Sequence, residues 1–386
     1  MRGRNGPEGL EACYRAGMTR KFLVVSAIAA GCIVVAGLSL TINGRGIGFL
    51  DCYGYMLRHI CGTVYEFGTD EWFDDYVLWN VYAPRVAIAV VCGCGLSVGG
   101  TLMQAVLSNP LADPYTTGVS DGATLGASVA IITGLSFSTA AGSMSIVTNA
   151  FVGAIVPAAI LVFLNGFVRM TPATCILVGT ALSGIFGGVQ TLLMYGADPD
   201  TLTAALRWGI GTFNQTSWED CIVPMSATVA GIAASLPLCR RLNLLALGDE
   251  SAKSLGLDTE KFKALCMVLA TIVVASIICY VGIIGFVGLI APHAVRMLMG
   301  GDNRFVLPAS MMAGSFLLLT SDLLSRVLVY PDELRVGVVM SIVGAPVFLY
   351  MIVSRRRGYG EGFRCRRDAA VWKASIAAPS DANGAP

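Results

Sequence analysis

The sequence predicts an all-α polytopic membrane protein of about ten transmembrane helices, with both termini in the cytoplasm. Three observations predict it. Of 386 residues, 55% are hydrophobic and only 13% are charged, where a soluble domain carries about 25% charged residues; the mean hydropathy is +0.70. The apolar residues gather into runs of roughly 20, the length that crosses a hydrocarbon core. The basic residues collect on one side of those runs. The 45 glycines suit closely packed membrane helices, whereas the net charge of +1 says little.

In chain order, residues 1–21 are polar and basic (Arg2, Arg4, Arg15, Arg20, Lys21) and form a cytoplasmic N-terminal segment. Residues 22–42 are a long apolar run. A basic flank before such a run also describes a signal peptide, but an h-region spans about 7–15 residues and ends at a small-x-small cleavage site. This run is longer and lacks that ending, so it is read as a retained first span. Residues 43–80 form a polar outer loop with acids at Asp51, Glu66, Asp70, Glu71, Asp74 and Asp75. Further spans are expected at 83–107, 115–134, 146–168, 173–196, 219–239, 264–283, 284–299, 307–330 and 334–354, closing a membrane domain of 22–354. The 284–299 run is short and holds Pro292, His293 and Arg296. The tail, 355–386, is basic and then Ala/Ser/Pro-rich, a composition that predicts disorder.

Sidedness follows from the positive charges. With the N-terminus inside, 20 of the 26 Lys and Arg fall on the cytoplasmic side. The outer set is Arg45, Arg58, Arg85, Arg207, Arg326 and Arg335. Residues 240–263, RRLNLLALGDESAKSLGLDTEKFK, then lie in the cytoplasm between spans six and seven. This segment carries five basic and four acidic residues, and reads as short amphipathic helices broken by Gly248 and Gly256. A charged element of this kind suits a membrane protein gripped by a soluble partner.

Small residues four apart share a helix face and let backbones approach: Gly95 and Gly99; Gly118, Gly122 and Gly126; Gly184 and Gly188. They are read as packing surfaces. In QAVLSNPLADPYTTGVSDGATLG (104–126), Asn109 precedes Pro110 and Asp113 precedes Pro114, so spans two and three join by a tight turn. Asp121 lies inside the apolar run that follows. An acid there is a functional candidate, though a cap or a hydrogen bond to exposed backbone is preferred. His293 could relay protons or bind metal. No second His or Cys stands at ligand spacing, so a structural histidine at a kinked helix is preferred. Asp322 and Arg326, four apart, read as a mutually neutralising structural pair rather than a transport relay. Cys52 and Cys61 share the outer loop, where a disulfide is possible; free thiols are preferred.

Five blocks in one order then carry a resemblance: QAVLSNPLADP, GVSDGATLGA, LNLLALGDESAKSLGL, GFVGLIAPHAVRMLMGGDNR, and the Asp322–Arg326 segment with Glu333, Gly337 and GAPVF at Gly344 and Pro346. RWGIGTFNQTSW (207–218) adds to them. Together the chain resembles the permease subunit of the bacterial iron-siderophore, haem and cobalamin ABC importers, over about two-thirds of its length. The resemblance implies a ten-span permease that works as a homodimer or with a close paralogue. It also implies two cytoplasmic ATPases, which carry the ATP and Mg, and an extracytoplasmic binding protein that delivers the ligand. No cofactor or metal is expected on this chain, and no nucleic acid. The implied ATPase-docking element is Leu242, Asn243, Leu244, Leu245, Leu247, Gly248, Asp249, Glu250, Ala252, Lys253, Leu255 and Gly256. Binding-protein docking is implied for Arg85, with Arg58 and Arg335 as further outer cations; Tyr82 and Arg335 depart from the family pattern. Structural or gating roles fall on Asn109, Pro110, Asp113, Pro114, Gly118, Asp121, Gly122, Gly285, Gly288, Pro292, His293, Arg296, Asp322, Arg326, Glu333, Gly337, Gly344 and Pro346.

The sequence holds no G-x-x-x-x-G-K-[ST] ATP-binding loop and no H-E-x-x-H. An enzyme is therefore disfavoured, and an ion-coupled secondary transporter stands as the alternative. The ligand could be a ferric siderophore, haem or cobalamin; a siderophore-type chelate is the leading expectation.

Overall fold

The structure, a computed structural model, describes residues 7–42, 45–138, 142–164, 167, 171–329 and 332–358. Its helices are α1 (Pro7–Thr41), α2 (Phe49–Ile60), α3 (Asp70–Val77), α4 (Ala83–Val106), α5 (Val119–Thr133), α6 (Ser143–Leu164), α7 (Pro172–Tyr195), α8 (Pro199–Trp208), α9 (Trp218–Leu245), α10 (Asp249–Ser254), α11 (Thr259–Val281), α12 (Val287–Met299), α13 (Asn303–Val327) and α14 (Val336–Gly358). Among the described residues, seven helices are long and apolar enough to cross a membrane, and three shorter apolar helices, α5, α12 and the first part of α14, join them. These ten correspond one for one with the expected spans.

Helix α4 is the centre of the bundle and packs against α9, α11, α12 and α13. Isoleucine, valine and alanine from α4, α11 and α13 fill the main core, including Ile88, Val274, Ile278 and Leu318. Lipid tails are as apolar as these side chains, so close van der Waals contact, rather than a hydrophobic drive, must hold the helices together. The glycines provide that contact. A Cβ on Gly122 of α5 would lie 2.2 Å from the Gly153 carbonyl oxygen of α6, and one on Gly100 of α4 would lie 1.9 Å from that of Gly288 in α12. The Gly184 and Gly188 pair on α7 behaves differently. Among the described residues, nothing outside its own turn of helix lies within 4 Å of an added Cβ there, so this face is open.

Three expectations need correction. First, 43–80 is no simple loop. Phe49, Cys52, Tyr53 and Met56 recur at helical spacing, so 49–60 folds as α2 with Cys52 buried. Thr69 caps α3, its hydroxyl accepting from the Trp72 N–H at 3.2 Å. Helix α3 then runs through a π turn (Leu78–Tyr82) into α4, giving one continuous helix of 37 residues, Asp70–Val106. Second, the ends extend further than expected: α1 begins at Pro7, within the segment read as an N-terminal tail, and α14 runs to Gly358. Residues 1–6 and the remaining tail, 359–386, lie outside the described residues. Third, α12 has only 13 residues, about 20 Å of helix against a core of about 30 Å. The stretch before it, 282–286, is not helical. The α8–α9 link meets carbonyls here: Gly211 N–H donates to Ile283 O within the stretch and Thr212 N–H to Val281 O at the end of α11, both at 2.9 Å. Irregular backbone is tolerated at membrane depth only when protein groups satisfy it in this way.

Cys52 and Cys61 are free. Nine residues of helical rise separate them by about 13 Å, and a disulfide needs Cα atoms within about 7 Å.

Candidate functional sites at the two ends of the bundle

At the inner end, α9 stops at Leu245. Gly248 turns the chain with φ +100° and Gly256 with φ +87°, conformations that favour glycine, and Asp258 caps α11 by accepting from the Lys261 N–H at 3.2 Å. The result is a short helix, α10, held between two long ones, as the sequence pattern predicts. Leu242, Leu245 and Ala252 are buried, and Leu244 is half-buried. Leu247 and Leu255 are 62% and 60% exposed. Asp249, Glu250 and Lys253 are exposed beside them. Lys263 Nζ donates to Asp249 Oδ2 at 2.6 Å and Lys253 Nζ to Glu260 Oε1 at 3.2 Å, tying α10 to α11. Exposed ion pairs contribute about 0–1 kcal/mol each, so the turn glycines and Ala252 burial place α10 and the ion pairs trim it. A cavity of about 420 Å³ lies behind it, floored by Val106, Leu161 and Met267 and rimmed by Glu250, Lys253 and Lys263.

Asn243 serves a different purpose from its neighbours. Its Nδ2 donates to Asp302 Oδ1 at 2.7 Å, and its Oδ1 accepts from the Asn303 N–H at 2.8 Å and Nδ2 at 2.9 Å. Arg296 Nη2 donates to Asn303 Oδ1 at 3.1 Å. This clasp fastens the end of α9 to the α12–α13 turn. Hydrogen bonds from Arg304, and beyond them from Asn243, hold the Asp302 carboxyl below the usual carboxylate range. Sequence reasoning missed Asp302 and Asn303 as partners of Asn243; their place in the GGDNR block was the only signal.

The α4–α5 link is a turn, as expected: Leu111 N–H donates to Asn109 Oδ1 at 3.0 Å and Tyr115 N–H to Asp113 Oδ1 at 3.1 Å. It is also buried. Asp113, Pro114 and Gly118 are enclosed, Pro110 is half-buried, and the Tyr115 hydroxyl donates to Ile284 O at 3.0 Å. Asp121 finds neither a cap nor exposed backbone. The Ser183 hydroxyl of α7 donates to its Oδ2 at 2.5 Å, because this face of α5 packs on α7. His293 is 3% exposed, follows Pro292 in α12, and its ring meets the edge of Phe348 with centroids 6.2 Å apart. Gly285 is half-buried; Gly337 packs against the Ile283 carbonyl and Gly344 against Phe286, while Pro346 is exposed.

At the outer end the structure overturns the expectation for Arg85. That residue is 5% exposed. Its Nε donates to Asp322 Oδ1 and its Nη1 to Glu333 Oε2, both at 2.8 Å. Arg326 Nη2 lies 3.2 Å from Asp322 Oδ2, and Arg326 also donates to the carbonyl oxygens of Ser39 (2.9 Å) and Ile42 (3.3 Å) and to the Ser39 hydroxyl. The Tyr82 ring lies under the Arg326 guanidinium. The physical reason is Asp322, which has no solvent exposure. A bare carboxylate there would be costly, and the two arginines neutralise it. The Asp322–Arg326 pair is therefore part of a four-residue network joining α1, α4, α13 and the turn before α14. Arg58 on α2 is exposed. Arg335 is half-buried, with Nη1 donating to the carbonyl oxygens of Arg207 and Ile210, the latter at 3.0 Å.

Among the described residues, ten apolar helices with a paired charge network between them and a short exposed helix at one end define a membrane permease. The chain belongs to the FecCD transport family, whose profile matches residues 32–354, and is a permease subunit of an ABC importer. It is 36% identical to the hemin transport system permease protein HmuU of Yersinia pestis over 72% of this chain and 84% of that one. It is 34% identical to the cobalamin import system permease protein BtuC of Halobacterium salinarum, over 75% of this chain and 76% of that one. Among solved structures, an inward-facing metal-chelate-type ABC transporter aligns with a TM-score of 0.74 at 28% identity, over 86% of this chain and 99% of that one.

Proposed function

We propose that this chain carries a ferric siderophore or a related metal chelate across the cytoplasmic membrane by alternating access, driven by two partner ATPases that bind ATP and Mg. The observation that carries the reading is α10. One side of it is locked to the bundle through Ala252 and the neighbouring Asn243 clasp, and the other presents Leu247, Leu255 and Glu250 to the cytoplasm. An element held on one side and bare on the other can receive a push and pass it to α9 and α11. The relatives named for hemin and cobalamin support a chelate-sized ligand. The charges of the outer network support ATP drive over ion coupling, since Arg85, Arg326, Asp322 and Glu333 already neutralise one another. A second copy would lie against open faces such as Gly184 and Gly188 of α7. A binding protein would meet the outer surface, where Arg58 stands exposed.

The test is uptake of ferric siderophore, haem and cobalamin into proteoliposomes holding the chain, its ATPase and its binding protein. Uptake requiring ATP is expected, and it should be weakened by joint Asp249→Asn, Glu250→Gln and Lys253→Gln. Uptake that survives ATPase removal and collapses with the proton gradient would overturn the reading. So would ATP hydrolysis by the isolated chain.

A further inference from the structure

The outer end holds a second cavity, of about 760 Å³, bounded by the end of α5, the start of α6, helix α8, the end of α11 and the residue before α14. Its size suits a small molecule of a few hundred daltons and far exceeds one acidic side chain. Arg207 and Arg335 both line it, as do the hydroxyl-bearing Ser136, Ser145, Thr212 and Tyr280, and among the described residues no acid lines the wall.

The Arg335 side chain is anchored on the Arg207 backbone. Arg335 Nη1 donates to the carbonyl oxygens of Arg207 and Ile210, which fixes one end of the guanidinium of this wall residue. The wall beneath is cross-linked by backbone hydrogen bonds, from Gly211 and Thr212 to the 281–283 stretch and from the Gly337 N–H to Gly211 O, each at 2.9 Å. Among the described residues neither Arg207 nor Arg335 has a carboxylate partner, in contrast to Arg85, which has two. Burial, and then the Arg207 charge, lower the Arg335 guanidinium from its ordinary range. Two like charges lining one cavity, neither with a carboxylate partner among the described residues, favour an anion.

We infer that this outer cavity is a binding site for an anionic, carboxylate-bearing metal chelate, held by Arg207 and Arg335 with hydroxyl donors around it. The inference rests on the importer reading, and assigns within it a charge class of ligand and the residues that select it. Arginine suits the role because its planar fork meets a carboxylate with two parallel hydrogen bonds.

The test is equilibrium dialysis of radiolabelled ferric citrate against the purified full-length chain in detergent, with a neutral ferric hydroxamate chelate as the comparison. Saturable binding of ferric citrate is expected, weakened about tenfold or more by Arg207→Glu, since a hydrogen bond to a charged group is lost and replaced by repulsion. The Arg207 side chain is exposed and bonded to no other residue of the wall, so this variant leaves the fold intact. Arg335→Lys keeps the charge but not the fork, and should weaken binding less. Binding of ferric citrate unchanged in both variants would overturn the site. Variants that lose association with the binding protein but retain ferric citrate would overturn it too, assigning the arginines to protein docking. Uptake of the neutral chelate by Arg207→Glu separates the two readings. If it proceeds while ferric citrate binding never appears, only the anion site fails. If no chelate is taken up at all while ferric citrate binding is lost in Arg207→Glu, the site stands and the transport reading fails.

Discussion

Replacing Asp322 with asparagine removes the central carboxylate of the outer network and leaves two buried guanidinium groups facing one another. Arg85 keeps Glu333 at 2.8 Å, but Arg326 keeps only neutral partners, the Ser39 carbonyl and hydroxyl and the Tyr82 ring among them. The four-residue network, neutral in the native chain, then carries one net positive charge. Breaking a buried pair in this way costs about 3–5 kcal/mol. Arg85→Gln alone leaves one net negative charge, shared between Asp322 beside Arg326 and a Glu333 side chain that is 31% exposed, so its cost lies towards the lower end of that range. The double variant is neutral again, with Arg326 and Glu333 remaining. Its loss should fall short of the sum of the single losses by about 1–3 kcal/mol, the coupling expected of residues in one network. Unfolding in mixed micelles at increasing SDS, followed by tryptophan fluorescence, measures all four corners of the cycle. Additivity within about 0.5 kcal/mol, or a wild-type-like Asp322→Asn, would refute the argument that neutralising Asp322 is what buries Arg85.

Other outcomes follow from the same structure. Leu247→Asp with Leu255→Asp should leave the unfolding midpoint of the isolated chain unchanged, since both side chains are exposed, yet reduce co-purification of the partner ATPase; unchanged co-purification counts against docking at α10. Gly153→Leu should destabilise the α5–α6 pair by about 1–3 kcal/mol or more, because the new side chain meets the Gly122 carbonyl, whereas Gly188→Leu should cost the isolated chain little. Asp302 has a depressed carboxyl in the folded chain, so its contribution is fully present above the unfolded value of about 3.9 and is lost as pH falls below it. Asp302→Asn should therefore destabilise at pH 7 and differ less from the native chain at pH 3, as read from unfolding midpoints at the two pH values. Mass mapping should find Cys52 and Cys61 both as thiols, with a membrane-impermeant maleimide reaching Cys61 from outside and leaving Cys52 unlabelled.

The spans were legible because apolar length and basic flanks are composition-level signals that survive any packing detail. The short helix α10 was legible for a similar reason: Gly248 and Gly256 stand where an amphipathic pattern breaks, and the structure gives both a positive φ. Arg85 was not legible. An arginine near a span end looks the same whether it faces water or a carboxylate 237 positions later in the chain, and only the fold brings Asp322 to it. The Arg207–Arg335 cavity was hidden likewise, because its wall is closed by backbone hydrogen bonds among three distant segments, which leave no mark on side-chain pattern. Helix α2 was missed because Asp51, Arg58 and His59 mask its apolar stripe in a simple polarity reading.

The continuous helix from Asp70 to Val106 has 37 residues, about 55 Å of rise, against about 40–45 Å for a bilayer with its headgroups. It is therefore too tall for the membrane it crosses unless it leans far over. Standing near upright, it lifts its first two turns, with Asp70, Glu71, Asp74 and Asp75, clear of the headgroups like a mast above a deck. Whatever lands on that masthead moves one stiff spar, whose lower reach carries the Gly100 contact with α12 and ends at Val106 on the wall of the cavity behind α10. A tilt at the outer surface would thus reach the neighbourhood of α10 through geometry alone, with no sequence of side-chain rearrangements in between.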